Sequence, residues 1–361
     1  MRLMSRYLLP LVLVSAIAGL VGGLGRLGLV SAPIQLSTHH GQLMAIAVLG
    51  ALLSLERVSA IAKPYTLAGP LLFLLYILQA VLPLQWGNQV SVAAVGALVS
   101  TITIVQLFLR TKSPGLSAIL VGFISLTVAT ILMSAGSPLF RVMPLLFTFP
   151  LLVVTGERIE RSATIQRPWR RHQGTQSASA RPVLIVSLFT AAFALAGFLY
   201  QSAQYLFGLP QLFLGFWLIV RDPIVKVGRR YGRFQRYSAV NMMLAYSWLA
   251  ATGVLSLLSY TAFIPYQVRV HSFYLGFVGH AILAHAPIIL PSLLGIPTLA
   301  YSKTLYIPTT LLTASLILRN HGAIAPNPTT LTIGGWGNLI VFILLVATIL
   351  LHLRTKGKAM E

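Results

Sequence analysis

The sequence predicts an all-α, polytopic integral membrane protein of about twelve transmembrane helices. Of its 361 residues, 57% are hydrophobic and 9% are charged, and the mean hydropathy is +0.84, whereas a soluble domain carries roughly 25% charged residues. Apolar runs of roughly 17–25 residues, each long enough to cross a bilayer, recur along the chain. No polar stretch is long enough for a separate soluble domain, so we predict a single transmembrane domain over residues 1–361. The absence of cysteine excludes disulfides and thiolate metal sites.

Proline and glycine fall mostly between the apolar runs, and this punctuation sets the predicted helix ends. We expect the first run to be a retained helix and not a cleaved signal. Helices one to six are predicted within residues 1–155, a basic cytoplasmic loop at 156–181, and helices seven to twelve within 182–353. The predicted spans are 7–25, 36–55, 65–83, 88–109, 115–134, 138–155, 182–201, 203–220, 237–259, 270–290, 304–319 and 334–353.

The distribution of basic residues predicts that both termini are cytoplasmic. The chain has 26 Lys and Arg against 5 Asp and Glu, and with the N-terminus inside, nearly all of the basic residues fall in cytoplasmic segments, as the positive-inside rule requires. Such loops attract anionic lipid of the inner leaflet, so the positive charge indicates a multi-pass protein of the cytoplasmic membrane and no nucleic-acid partner. The exceptions, on or near the outer face, are Arg26, Arg141, Arg269 and Arg319.

The carboxylates argue against ion-coupled transport. None of the five lies within a predicted span, whereas proton pumps and ion-coupled transporters commonly place one in the membrane. The two halves on either side of the loop 156–181 show no convincing sequence repeat.

Histidines are the candidate functional residues. His39 and His40 open the second predicted helix, and His271, His280 and His285 lie on the tenth. Imidazoles in a membrane are costly unless they are satisfied, and haem iron binds neutral imidazole along its axis. His40 and His271 fall near the same outer face, so they are the predicted axial ligands of a six-coordinate haem b.

Helical periodicity separates the three histidines of the tenth helix. In a regular α-helix, His271 and His285 share a face within about 40° and His280 points nearly opposite. His285 is therefore the candidate for a second metal or haem, and His280 and His39 are weaker candidates. The alternative for each is a buried histidine that is hydrogen-bonded to the backbone or to Ser and Thr.

The outer arginines also favour a haem. They have no carboxylate on their side of the membrane, and guanidinium groups bind carboxylates such as haem propionates bidentately. Arg319, in the predicted loop between helices eleven and twelve, is the first candidate. Pairing with lipid phosphate or snorkelling is the alternative.

Several segments resemble one family. The matching segments are His40-Gly-Gln-Leu-Met44, Leu55-Glu56-Arg57, His271-Ser-Phe-Tyr-Leu-Gly-Phe277, His285-Ala-Pro-Ile-Ile-Leu-Pro291, Tyr306-Ile-Pro308, Leu316-Ile-Leu-Arg319 and Gly334-Gly-Trp-Gly-Asn338. They resemble the NnrS-like membrane proteins, which are described as haem- and copper-containing and are linked to nitric oxide stress. The resemblance implies haem b and a role in nitric oxide or small-gas handling, or in electron transfer with a redox partner or other respiratory-complex subunits.

A more distant resemblance is to the catalytic subunit of haem–copper oxidases and nitric oxide reductases. That fold has twelve helices and holds its low-spin haem through histidines of helices two and ten, roles that His40 and His271 match, with Arg319 at a propionate. The copper site of that group needs histidines on helices six and seven, and residues 138–155 and 182–201 contain none. We therefore expect one haem b, or two if His285 binds a second, with copper left open but not supported by histidines of helices six and seven, and no oxygen-reducing centre.

Two other functions stay open at this point. A secondary transporter of the major facilitator type also has twelve helices, and the segment from Asp222 to Arg230 faintly resembles a signature of that group. The second alternative is a cofactor-free membrane subunit or assembly factor of a respiratory complex. No residue is assigned as catalytic.

Overall fold

The chain is an all-helical membrane protein over the part that the structure describes. The computed structural model describes residues 2–61, 63–82, 89–170, 180–227, 232–294 and 301–357, and it contains no strand within them. Nine of the helices in these ranges are long and apolar enough to cross a membrane. Every predicted span overlaps a helix. The three spans outside those nine lie on an apolar helix over Pro64–Gln79 and on helices within 266–294 and 306–324.

The chain divides into two compact units, Met1–Pro210 and Gln211–Glu361. Unit 1 opens with a long helix, after which one helix is interrupted by a π-helical segment over Leu43–Val48. Short 3₁₀ turns lie at Pro64–Leu67 and Gln201–Gln204. The α-helices are α1 (Arg2–Arg26), α2 (Ile34–Gln42), α3 (Leu49–Ile61), α4 (Ala68–Val81), α5 (Gln89–Thr111), α6 (Pro114–Ser134), α7 (Leu139–Arg170) and α8 (Ala180–Leu199).

Close packing of α6 on α7 forms the centre of unit 1. Gly115 and Gly156 face each other, and a Cβ on either would collide with the backbone oxygen of the other. Small residues at such a crossing let helices approach within a membrane. Phe123 and Phe149 then pack edge to face with ring centroids 5.0 Å apart, an arrangement that aromatic pairs prefer.

Helix α8 shows a polarity opposite to that of a helix in water. Its hydroxyl residues Ser187 and Thr190 are buried, with 2% and 0% exposure, while Ile185 and Phe189 are 65% and 54% exposed. Each buried hydroxyl donates to the carbonyl four residues earlier, so its polarity is satisfied within the helix. An apolar outer face over a satisfied polar interior fits lipid and not water as the surrounding solvent.

Unit 2 contains a second interrupted helix. Unit 2 begins within α9 (Gly208–Arg221). Its later helices are α10 (Pro223–Val227), α11 (Arg233–Leu258), α12 (Tyr266–His271), α13 (His280–Leu294), α14 (Tyr306–Ile324) and α15 (Pro328–Gly357). A π-helical segment over Ser272–Gly279 joins α12 to α13, and a 3₁₀ turn over Lys303–Leu305 precedes α14. Helix α14 packs on both α15 and the π-helical segment.

Two predicted loops are helical instead. Helix α7 continues past the predicted end at residue 155, through Gly156 and Pro168, as far as Arg170. The rest of the basic loop, residues 171–179, lies outside the described residues. Arg319 is not in a loop either, since α14 runs five residues beyond it to Ile324.

Candidate functional site

His271 is held in one tautomer by its own helix. Pro265 starts α12 in extended backbone, and His271 ends that helix where the π-helical segment begins. The Nδ1 atom of His271 lies 2.7 Å from the carbonyl oxygen of Gln267. Because a carbonyl can only accept, Nδ1 carries the proton and Nε2 carries the lone pair.

Arg319 donates to this lone pair. Its Nη2 lies 3.2 Å from Nε2 of His271, and the side chain is 9% exposed. Its Nε has no hydrogen-bond partner among the described residues. The next residue, Asn320, donates to the hydroxyl of Ser272 at 2.8 Å, so two consecutive residues of α14 contact the start of the π-helical segment.

His280 and His285 differ in their surroundings. Nδ1 of His280 donates to the carbonyl of Gly276 at 2.8 Å, and its Nε2 accepts from the hydroxyl of Thr313 at 2.9 Å. Both nitrogens are therefore satisfied within unit 2, which favours a structural role. His285 is buried, and its Nδ1 donates to the carbonyl of Ala281 at 2.7 Å.

The π-helical segment changes the predicted relation between these histidines. Its hydrogen bonds run from residue i to i+5, so its turn is wider than the 3.6 residues on which the shared face of His271 and His285 was predicted. That angular relation does not hold across residues 272–279.

His39 and His40 in unit 1 have different partners. Nδ1 of His39 donates to the carbonyl of Gln35, four residues earlier, at 2.9 Å. Nδ1 of His40 donates instead to the carbonyl of Gly19 in α1, at 2.6 Å. A Cβ at Gly23 would lie 2.7 Å from the His40 ring, so that glycine makes room for the imidazole. His40 thus fastens α2 to α1.

Both candidate helices carry π-helical segments. Among the residues that the structure describes, π-helix occurs only at Leu43–Val48 and Ser272–Gly279. The first begins three residues after His40, and the second begins directly after His271. Such segments are rare and frequently lie at functional sites, and nothing in the apolar sequence of either segment signalled them.

A charged cluster in unit 1 was not predicted. Arg57, near the end of α3, pairs with Glu157 of α7, and its Nη1 lies 3.8 Å from Glu160 Oε2. Ser113 donates to Glu160 at 2.9 Å. The cluster links α3 to α7 and to Ser113, the N-cap residue of α6, and its only signal in the sequence was the recurrence of Glu-Arg at residues 56–57 and 157–158.

The predicted ligands do not form a metal site from protein groups alone. Within the described ranges, no three His, Cys, Asp or Glu side chains cluster so that they could hold a metal ion. A haem needs no such cluster, because the porphyrin supplies four ligands and the protein at most two. The ligand roles of His39, His40, His271, His280 and His285 stay predictions.

The long apolar helices with a buried polar interior define a helical membrane protein. The chain belongs to the family described as a domain of unknown function (DUF8744), whose pattern matches residues 2–354. Comparison with curated proteins found no match, and comparison with solved structures found none either.

Proposed function

We propose that this chain is a twelve-helix membrane haem b protein, with both termini in the cytoplasm, that carries electrons or binds nitric oxide or a similar small gas. Its proposed iron ligands are His271 in unit 2 and a histidine of the pair His39 and His40 in unit 1. The resemblance to NnrS-like proteins, and more distantly to haem–copper oxidases, supports this proposal.

The observation that carries the proposal is the shared tautomer of these imidazoles. In His39, His40 and His271, Nδ1 donates to a backbone carbonyl, which makes Nε2 the basic nitrogen of the ring. Histidines that bind metals almost always donate their other N–H in this way, because the bond fixes the ring and raises its basicity.

Arg319 fits the periphery of a haem. It is a buried cation whose Nε lacks a protein partner in the described part of the chain, and a propionate would supply the missing acceptor with bidentate geometry. Nε2 of His271 would hold the iron of a bound haem, and Arg319, which donates to that nitrogen in this structure, would then pair with a propionate instead.

A bound haem would supply reversible one-electron chemistry. The carbonyls of Gln35, Gly19 and Gln267 orient the imidazoles of His39, His40 and His271. Two histidine ligands would favour electron transfer, whereas a single one would leave the iron able to bind a gas.

The test is a dithionite-reduced minus oxidised spectrum of the detergent-purified chain, with pyridine haemochrome to count haems. We expect sharp b-type α and Soret bands that are lost in His271→Ala and in the double variant His39→Ala/His40→Ala. A colourless protein produced with ample haem would contradict the proposal and make transport, tested by proteoliposome uptake, the next hypothesis.

A further inference from the structure

Unit 1 and unit 2 share a seven-residue motif at their candidate histidines. The segment Pro33-Ile-Gln-Leu-Ser-Thr-His39 in unit 1 has the same spacing of Pro, Gln and His as Pro265-Tyr-Gln-Val-Arg-Val-His271 in unit 2. The two prolines have nearly identical backbone angles, with φ −53° and ψ 134° in one and φ −55° and ψ 135° in the other. Each histidine donates from Nδ1 to the carbonyl of the motif glutamine.

Two further motifs follow in the same order. The pattern Thr-Leu-x-x-Pro begins at Thr66 and at Thr304, and the pattern Leu-x-Leu-Arg-Thr-Lys begins at Leu107 and at Leu351. Both Leu67 and Leu305 are 2% exposed. The motifs of the second set are spaced a few residues further apart, as insertions between helices would produce.

The helices around the motifs also correspond. In each set, a long helix of about 25 residues (α1 or α11) precedes the proline, and a π-helical segment interrupts the next helix soon after the histidine. A 3₁₀ turn then leads into α4 or α14, and a final long helix, α5 or α15, ends at the Leu-Arg-Thr-Lys motif. The two stretches, residues 2–112 and 233–356, do not coincide with the parts of the chain on either side of the loop 156–181. A repeat between those two parts is therefore not visible in the sequence, although the two stretches correspond.

The alignment gives the two adjacent histidines of unit 1 different roles. His39 aligns with His271, and both use the carbonyl four residues earlier in their own helix. His40 aligns with Ser272, and both bind another helix of their unit, since His40 contacts Gly19 of α1 and Ser272 contacts Asn320 of α14.

We propose that residues 2–112 and 233–356 are two copies of one four-helix module and that His39 is the ligand in the first copy, as His271 is in the second. His40 is a positioning residue that fastens α2 to α1. The assignment of His39 rests on the proposed haem function, whereas the equivalence of His39 and His271 rests on the repeat.

The test compares three variants of the full-length protein, His39→Met, His40→Met and His271→Met, by absorption spectrum and by redox titration. Methionine in place of an axial histidine raises the reduction potential of a haem. We expect His39→Met and His271→Met to raise the potential and shift the α band, while His40→Met keeps the wild-type spectrum and lowers the melting temperature. Rescue of the haem spectrum of His39→Gly by added imidazole provides a second readout that separates ligation from folding.

Each alternative result is decisive. A shift in His40→Met with a wild-type spectrum in His39→Met would overturn the assignment and leave the haem function standing. If the wild-type protein is colourless, the haem function fails, and bound iron and copper measured by mass spectrometry then test whether His39 and His271 are equivalent ligands of another metal. Equal loss of metal in the His39 and His271 variants would support their assignment as equivalent ligands, and a wild-type protein without metal would overturn that assignment.

Discussion

Nη2 of Arg319 lies 3.2 Å from Nε2 of His271, so a buried guanidinium donates to the nitrogen that is proposed to bind iron. The contact joins α14 to the start of the π-helical segment of unit 2. Because Nδ1 of the same ring is committed to Gln267, the hydrogen bond from Arg319 and a bound iron would compete for one nitrogen.

We predict that Arg319→Gln weakens haem binding. Loss of a hydrogen bond to a charged group costs about 1.5–3 kcal/mol, which corresponds to roughly a ten- to hundredfold loss of affinity. Haem per protein, measured by pyridine haemochrome after dialysis against apomyoglobin, checks the prediction. Arg319→Lys should retain less haem than the wild-type protein and more than Arg319→Gln, because lysine keeps the charge without the bidentate geometry. Arg110→Gln, at an exposed helix end, is the matched control, and full haem retention in Arg319→Gln would contradict a propionate role.

His280→Ala should destabilise the protein without changing any spectrum. The change removes a buried ring that accepts from Thr313 and donates to Gly276, at a cost of about 1–3 kcal/mol. Thermal unfolding in detergent measures the loss. A double-mutant cycle with Thr313→Val should give a coupling of about 0.6 kcal/mol and not above about 1.7 kcal/mol, the range found for hydrogen bonds between membrane helices. Zero coupling would show that the two side chains do not interact.

Glu157→Gln is expected to destabilise unit 1 strongly. Glu157 is 7% exposed and pairs with Arg57, and removal of one partner of a buried pair costs about 3–5 kcal/mol when the other charge is left uncompensated. Glu160, 3.8 Å from Arg57, compensates part of that charge, so we expect a loss towards the lower end of this range. The double variant Arg57→Gln/Glu157→Gln should lose less than the single variant. Arg161→Gln is the control, because its contact with Glu56 is 4.0 Å long and half-exposed. Equal melting temperatures for Glu157→Gln and the control would rule out a stabilising pair.

Gly156→Ala should separate α6 from α7. The added methyl would meet the backbone oxygen of Gly115 and the side chain of Ile119, and overpacking of this kind costs about 1–3 kcal/mol. Gly232→Ala is the matched control, since the new Cβ would meet only the flexible end of Gln235, at 3.1 Å. A lower melting temperature for Gly156→Ala than for Gly232→Ala, measured by fluorescence-monitored unfolding, is the expected outcome.

Helix positions could be predicted from the sequence because apolar length and proline placement set them locally. Pro114, for example, starts α6, and Gly136 lies in the left-handed region at φ 95° just beyond its end, as helix C-terminal glycines commonly do. The tautomers of His39 and His271 could also have been predicted from the sequence, because each partner carbonyl lies four residues earlier in the same helix.

Longer-range features were not predictable. The tie from His40 to Gly19 and the pair of Arg57 with Glu157 depend on which helices pack together, and no local pattern encodes that. The predicted loop position of Arg319 was wrong because a charged residue at the end of an apolar run reads as a helix end, although α14 continues to Ile324. The predicted ligand set stays a hypothesis.

The π-helical segment at Leu43–Val48 also sets the direction in which the side chains of α3 point around the helix axis. Each residue of a regular helix turns the chain by about 100°, so removal of one residue from the wide turn would rotate the whole of α3 by that angle. Arg57 would then swing away from Glu157, although its own sequence neighbourhood had not changed. A single-residue deletion within Leu43–Val48 would thus break the pair of Arg57 with Glu157, although the deleted residue lies far from both. The charged cluster therefore depends on the π-helical segment that lies between it and the histidines of the same interrupted helix.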